Sequence, residues 1–158
     1  MSKRIKLLLL IIIVLLISGC INGYNSTSLT SDGFARKMKN LDFKLENNIT
    51  EYEKNKEIVH AYKATEKDDK FTIEFLEFSS SKKANSYFTK EREDLTNNRD
   101  ENSVFNYSVV DNKEKYTLNT NDNHYIGLTI IDNTILKFNV DSKYSEEIIT
   151  LTERELGY

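Results

Sequence analysis

The residue types that most often ligate metals or act as nucleophiles are scarce in this chain, which has one cysteine, Cys20, and two histidines, His60 and His124. The histidines are about sixty residues apart and no second cysteine accompanies them, whereas a zinc site needs three or four such ligands. His60 also stands between Val59 and Ala61, in a stretch typical of a strand. We therefore expect no metal site at these residues.

Oxygen-bearing side chains recur in the segment 119–123, Asn-Thr-Asn-Asp-Asn, as they do in a calcium loop. An EF-hand loop continues with a glycine at its sixth position and a glutamate at its twelfth, where this chain has His124 and Ile130. A polar hairpin turn is the better interpretation of this segment.

Motifs for nucleophilic catalysis or phosphate binding are missing from the sequence, which has no Gly-x-Ser-x-Gly and no glycine-rich loop. The neighbouring carboxylates Glu91 and Asp94 fall on the charged side of a predicted helix, where solvation is the ordinary role. We predict that the chain is not an enzyme and has no cofactor. An envelope enzyme or enzyme accessory with an irregular site is the alternative.

Tyrosine is the one abundant residue type with binding potential, at nine copies. Tyr107, Tyr116 and Tyr125 fall on three successive predicted strands. They would form an aromatic binding platform if they shared an exposed face, and would be core residues if they faced the helices. We favour the core interpretation.

The front of the chain has the three parts of a secretory signal. Three basic residues within the first six positions precede an unbroken apolar run over residues 7–17, and two small residues follow it. An uncleaved membrane helix is the poorer interpretation, because at ~1.5 Å per residue the run covers only about half of a ~30 Å hydrocarbon core. An ordinary signal would leave Cys20 as a lone thiol in an oxidising compartment.

Residues 17–20, Ile-Ser-Gly-Cys, resemble the lipobox of prokaryotic lipoproteins. The resemblance covers the first twenty residues and implies that the thiol of Cys20 receives a diacylglyceryl group, that residues 1–19 are removed, and that acylated Cys20 becomes the N-terminus. It implies that the partner of the protein is the membrane and that the protein lies on the extracytoplasmic face of the cell membrane. Two or more acyl chains hold a protein on a bilayer stably, whereas one does so only marginally.

The composition of the mature chain favours one small acidic domain. Removal of the signal leaves 139 residues with 19 basic and 25 acidic side chains, a net charge of −6 that argues against nucleic acid as a partner. The chain has no proline, so turns must be made by Asn, Asp, Ser and Gly. Asn25, Asn48 and Asn106 match the glycosylation sequon, which matters only in a host that glycosylates secreted proteins.

Apolar periodicity predicts an α+β fold. We expect a flexible polar tether over residues 20–31 and a single domain over 32–158. Alternating patterns predict a mainly antiparallel sheet of about six to seven strands, and apolar stripes at helical spacing predict two or three helices packed on one face. The predicted strands are 41–46, 58–65, 71–75, 104–110, 115–120, 124–131 and 134–140.

These features predict a membrane-anchored extracytoplasmic protein that acts as a non-catalytic binding or interaction module. A purely structural envelope protein is a further alternative. The sequence does not indicate which ligand the protein binds.

Overall fold

The computed structural model describes residues 27–158. The predicted signal peptide, Cys20 and the tether as far as residue 26 lie outside the described residues. The helices are α1 (Ser31–Asn40), α2 (Ser81–Asn97) and α3 (Ser145–Thr150), and a π-helical segment, Leu151–Glu155, continues α3. The strands are β1 (Lys44–Asn47), β2 (Ile58–Thr65), β3 (Thr72–Phe78), β4 (Val104–Val110), β5 (Lys113–Asn119), β6 (His124–Ile131) and β7 (Thr134–Asp141).

All seven strands form one antiparallel sheet with the order β1-β2-β3-β7-β6-β5-β4. Two meanders, β1–β3 and β4–β7, are joined where β3 pairs with β7. The α+β class and the antiparallel sheet predicted from the sequence are confirmed. None of the helices within residues 27–158 is long and apolar enough to cross a bilayer.

The sheet is covered on both faces. Side chains alternate between the two faces of a strand, so Phe75 of β3 enters one apolar cluster and Leu76 enters the other. Phe34 of α1 and Ile148 of α3 belong to the first cluster, whereas Phe88 of α2 belongs to the second. The prediction that the helices pack on one face was therefore wrong, because β3 and β7 carry apolar side chains on both of their faces.

The first cluster also holds both ends of the described chain. Leu29 packs against it, so ordered contacts begin inside the segment predicted as tether. Tyr158 is fully buried and its hydroxyl hydrogen-bonds Thr134 of β7. Gly157, with φ of +83°, lets the chain turn Tyr158 back into the core. The α1 and α3 face is thus closed by the two chain ends.

Acidic and amide residues make the turns, as the absence of proline predicts. Among residues 27–158 the non-glycine residues with positive φ are all Asp or Asn: Asp42, Asp69, Asp111, Asn123 and Asp132. Their short side chains tolerate the left-handed region better than other side chains do. The segment 119–123 is one of these hairpin turns and connects β5 to β6.

Candidate functional site

A cleft of about 340 Å³ lies between α2 and the sheet. The helix contributes Glu91 and Leu95, and the sheet contributes polar side chains of β2, β3 and β7. Lys63, Glu74 and Lys137 point into it because each stands one residue away from a side chain buried on the opposite face. This cleft is the first candidate site.

The cleft contains an ion pair between strands. Glu74 of β3 and Lys137 of β7 are directly opposite in the strand register, and Lys137 Nζ lies 3.1 Å from Glu74 Oε2. The hydroxyl of Tyr52 donates to the same carboxylate oxygen at 2.7 Å. Lys137 Nζ also lies 5.5 Å from the ring centre of Tyr52, within cation–π range. Tyr52, Glu74 and Lys137 are therefore partners of one another inside the protein.

The protonation states in the cluster are held at their ordinary neutral-pH forms. Burial by itself would lower the pKa of Lys137, but the phenolic oxygens of Tyr87 and Tyr52 and the carboxylate of Glu74 raise it above its usual value. Burial raises the pKa of Tyr52, and its hydrogen bond to Glu74 adds to this. Burial also raises the pKa of Tyr87. The lysine thus stays protonated at neutral pH, and the cluster places a paired positive charge at the wall of the cleft.

The paired carboxylates of α2 have separate positions. Glu91 is half-buried and lines the cleft, whereas Asp94 is exposed. Glu91 therefore lies beside the polar side chains of the sheet, whereas Asp94 faces solvent.

The two histidines lie apart and both are exposed. His124 Nδ1 is 2.8 Å from Asn139 Oδ1, whereas His60 lies in β2. Within residues 27–158 no three or more His, Cys, Asp or Glu side chains gather closely enough to hold a metal ion.

The three tyrosines do not share a surface. Tyr116 is buried under α2, where Thr96 Oγ1 donates to its hydroxyl at 3.3 Å, and Tyr125 is buried on the opposite face against Phe138. Only Tyr107 is exposed, at 40%. An aromatic platform of Tyr107, Tyr116 and Tyr125 is therefore excluded, because strands β5 and β6 turn their tyrosines to opposite faces.

The second candidate site is the β4 edge, which we define as residues Val104–Val110. All seven residues are exposed, and Val104 and Val110 are 68% and 63% exposed. The strand pairs with β5 on one side only and forms one end of the sheet. It has no charged side chain. Long uncharged edges of this kind favour pairing with another strand.

Two arginines contact aromatic rings of the β4 edge: Arg92 of α2, and Arg99, which follows the C-terminal end of that helix. Arg92 Cζ lies 4.6 Å from the ring centre of Tyr107, and Arg99 Cζ lies 4.5 Å from the ring centre of Phe105. The hydroxyl of Tyr107 donates to Glu114 of β5. That hydrogen bond raises the pKa of Tyr107, which keeps the phenol protonated. These contacts hold β4 in the sheet and leave its outer backbone edge open.

Comparisons with family models, with curated proteins and with solved structures found no match to this chain. The functional argument therefore depends on the geometry of the cleft and of the β4 edge.

Sequence reasoning missed the cleft. Glu74 and Lys137 alternate with buried residues of their strands, and nothing in the sequence assigned them a role. Only the pairing of β3 with β7 and the position of α2 bring them together. Of the sequons, Asn25 lies outside the described residues, Asn48 is buried and donates to Glu51, and Asn106 is exposed on β4.

Proposed function

We propose that this protein is a lipoprotein held on the extracytoplasmic face of the cell membrane by diacylglyceryl and acyl groups on Cys20, and that it is a non-catalytic interaction module. The address is supported by the lipobox-like residues 17–20, directly after the apolar run. The interaction role is carried by one observation, the β4 edge, which is seven residues long, uncharged and exposed throughout.

The β4 edge suits recognition by strand addition. An added strand gains main-chain hydrogen bonds, and side-chain contacts on the two faces of the sheet give specificity. The edge offers Phe105, Tyr107 and Val109 on the α2 face, since Phe105 and Tyr107 pair with Leu118 and Tyr116 of that face. The protein would thus present a ready-made template strand at the membrane surface.

Labelling of the chain with radioactive palmitate tests the anchor. The parent should carry label and fractionate with membranes, and Cys20→Ala should lose the label and either stay uncleaved or be released. The matched control combines Cys20→Ala with Ser26→Cys, which restores a cysteine away from the apolar run and should stay unlabelled. Unchanged labelling or processing of Cys20→Ala would disprove the anchor.

Co-purification from the envelope tests the interaction role. Tyr107→Lys places a charge in the middle of the β4 edge and should remove whatever binds there. Glu46→Lys changes charge at an exposed position of β1, the other edge strand, and should leave binding unchanged. Equal recovery of bound protein with both variants would argue against the β4 edge as the binding surface.

One observation favours the alternative of an envelope enzyme or accessory, namely the charged cleft around Glu74 and Lys137. The purified parent chain should then turn over an envelope substrate, and Lys137→Met should abolish turnover while the protein stays folded. The absence of activity against cell-wall and lipid substrates would remove the ground for this alternative.

A further inference from the structure

Five of the seven exposed large hydrophobic residues of the described chain lie on the β4 edge, and the sequence of this strand indicates which partner covers them. We propose that it pairs with the β4 edge of a second copy of this chain, antiparallel and with Tyr107 opposite Tyr107 of the second copy. This inference rests on the proposed interaction role and names its partner. The result is a two-fold dimer with one continuous fourteen-stranded sheet.

The strand has the same pattern of polarity in both directions. Residues 104–110, Val-Phe-Asn-Tyr-Ser-Val-Val, have two apolar residues at each end and two polar residues around the central tyrosine. In an antiparallel pair centred on Tyr107, apolar residues meet apolar ones and an amide meets a hydroxyl. The opposed residues are Val104 with Val110, Phe105 with Val109, and Asn106 with Ser108. No charge is buried and no like charges meet.

The pairing is compatible with the backbone of an edge strand. Half of the N–H and C=O groups of β4 point toward β5, and the other half point outward. A second β4 would satisfy those outward groups. Because Arg92 and Arg99 approach the rings from the α2 face, they leave this backbone edge accessible.

The path to the membrane favours antiparallel over parallel pairing. In a continuous sheet, an antiparallel two-fold pair has its axis perpendicular to the sheet, so the α1 and α3 faces of both copies lie on the same side. Leu29 packs on that face, and the chain toward Cys20 begins there. The nine residues from Cys20 to Leu29 span at most about 30 Å. Both anchors would therefore start from one side, whereas parallel pairing would put them on opposite sides.

The membrane would also supply the concentration that the pair needs. One seven-residue strand contact is small compared with the roughly 1,600 Å² of a standard stable interface. Confinement of two anchored copies to one surface raises their effective concentration without any new contact. We therefore expect a dimer on membranes that dissociates when the chain is extracted and diluted in detergent.

Disulfide trapping of the full chain in isolated membranes tests the register. Opposed residues of an antiparallel pair have Cα atoms about 4.5–5.5 Å apart, which a disulfide can bridge. Tyr107→Cys should therefore form linked dimer under mild oxidation. Val109→Cys should not do so alone, because the two copies of that position would be four residues apart, about 13 Å along the strand. A yield about tenfold higher for Tyr107→Cys is expected, since only its geometry fits a disulfide.

Two further arms keep the test valid if Tyr107→Cys disturbs the strand. Co-expression of Asn106→Cys and Ser108→Cys chains with different tags should give the mixed dimer, because these positions are opposed. Glu46→Cys, exposed on β1, measures random collision in the membrane. The register is wrong if Val109→Cys links best. The second copy is excluded if neither Tyr107→Cys nor the Asn106→Cys and Ser108→Cys pair links better than Glu46→Cys.

The outcomes also separate this inference from the proposed function. Trapping of a different protein by Tyr107→Cys, with no linked dimer, would overturn the second copy and leave the interaction role standing. If the parent chain carries no palmitate label and Tyr107→Cys still forms linked dimer, the β4 pairing is supported and the anchor is disproved.

Discussion

The β1 edge and the β4 edge of the sheet differ in length, charge and cover. β1 has four residues, two of them charged, and Lys44 forms an exposed ion pair with Asp69. β4 has seven residues and no charge. Short, charged edges resist pairing with other chains, and long uncharged ones invite it. One end of the sheet is thus protected and the other is open, and this contrast fits the proposal that the open end is a binding surface.

The middle of the sheet and its β4 edge also differ in how far their side chains are buried. Toward the middle of the sheet, β3, β7 and β6 have buried side chains on both faces, whereas all of β4 stays exposed. A substitution in the middle should therefore change the free energy of unfolding, and one at the β4 edge should change association instead. The following predictions test this division, from the largest effect to the smallest.

Gly127→Ala should have the largest effect on stability. The ring of Phe138 lies directly over the backbone of Gly127, and a Cβ there would come within 2.1 Å of a ring atom. We expect the free energy of unfolding to fall by about 3 kcal/mol, at the upper end of overpacking costs. Denaturant unfolding measures it.

The matched control for Gly127→Ala is Ser108→Ala on exposed β4, which should change the unfolding free energy by less than about 0.5 kcal/mol. A smaller ring partner, as in Gly127→Ala with Phe138→Leu, should recover part of the loss. Equal stabilities of the Gly127→Ala and Ser108→Ala variants would contradict the division between middle and edge.

Alkaline pH should lower the free energy of unfolding through ionisation of Tyr158, which is buried on the α1 and α3 face. Burial raises the pKa of this phenol to about 12, from an ordinary value of 10.0. A raised folded pKa means that the stability is fully present below pH 10 and is lost as the pH rises through 12. From pH 10 to 12 this one group should cost about 2 kcal/mol. Unfolding measured across that range in parent and Tyr158→Phe chains checks it.

The phenylalanine variant should start less stable, since it loses the hydrogen bond to Thr134. It should then fall less steeply with pH than the parent does. Parallel slopes for the two chains would mean that Tyr158 does not hold its proton more tightly in the fold.

The sequence predicted the strand positions well, but it did not predict which helices and side chains pack beside them. β2, β4 and β6 have the predicted bounds, because alternating apolar residues end at Asp, Asn and Ser turns whose chemistry is local. The second helical layer was missed because adjacent Phe75 and Leu76 belong to opposite clusters, which is decided by the packing of distant helices. The cleft was missed for the same reason, since Glu74 and Lys137 are 63 positions apart in the chain and meet only through β3–β7 pairing.

The exposure of β4 also needed the structure. Its sequence, Val-Phe-Asn-Tyr-Ser-Val-Val, is as apolar as a central strand, and nothing local distinguishes an edge from a middle position. Only the order of the strands places it at the end of the sheet.

Arg92→Ala should have the smallest effect, and it shows how β4 is held. The guanidinium stacks on Tyr107 at an exposed site, where such a contact contributes about 0.5 kcal/mol. Its loss should barely change the free energy of global unfolding. It should speed hydrogen exchange of the β4 amides, because β4 would then be held mainly by its pairing with β5. Arg92→Lys keeps the charge and loses the flat stacking surface, so it should give an intermediate rate. Amides of β1 serve as the internal reference and should exchange as in the parent. Equally faster exchange at β1 and β4 would mean that Arg92 stabilises the whole sheet. That result would contradict a local role of Arg92 at the β4 edge.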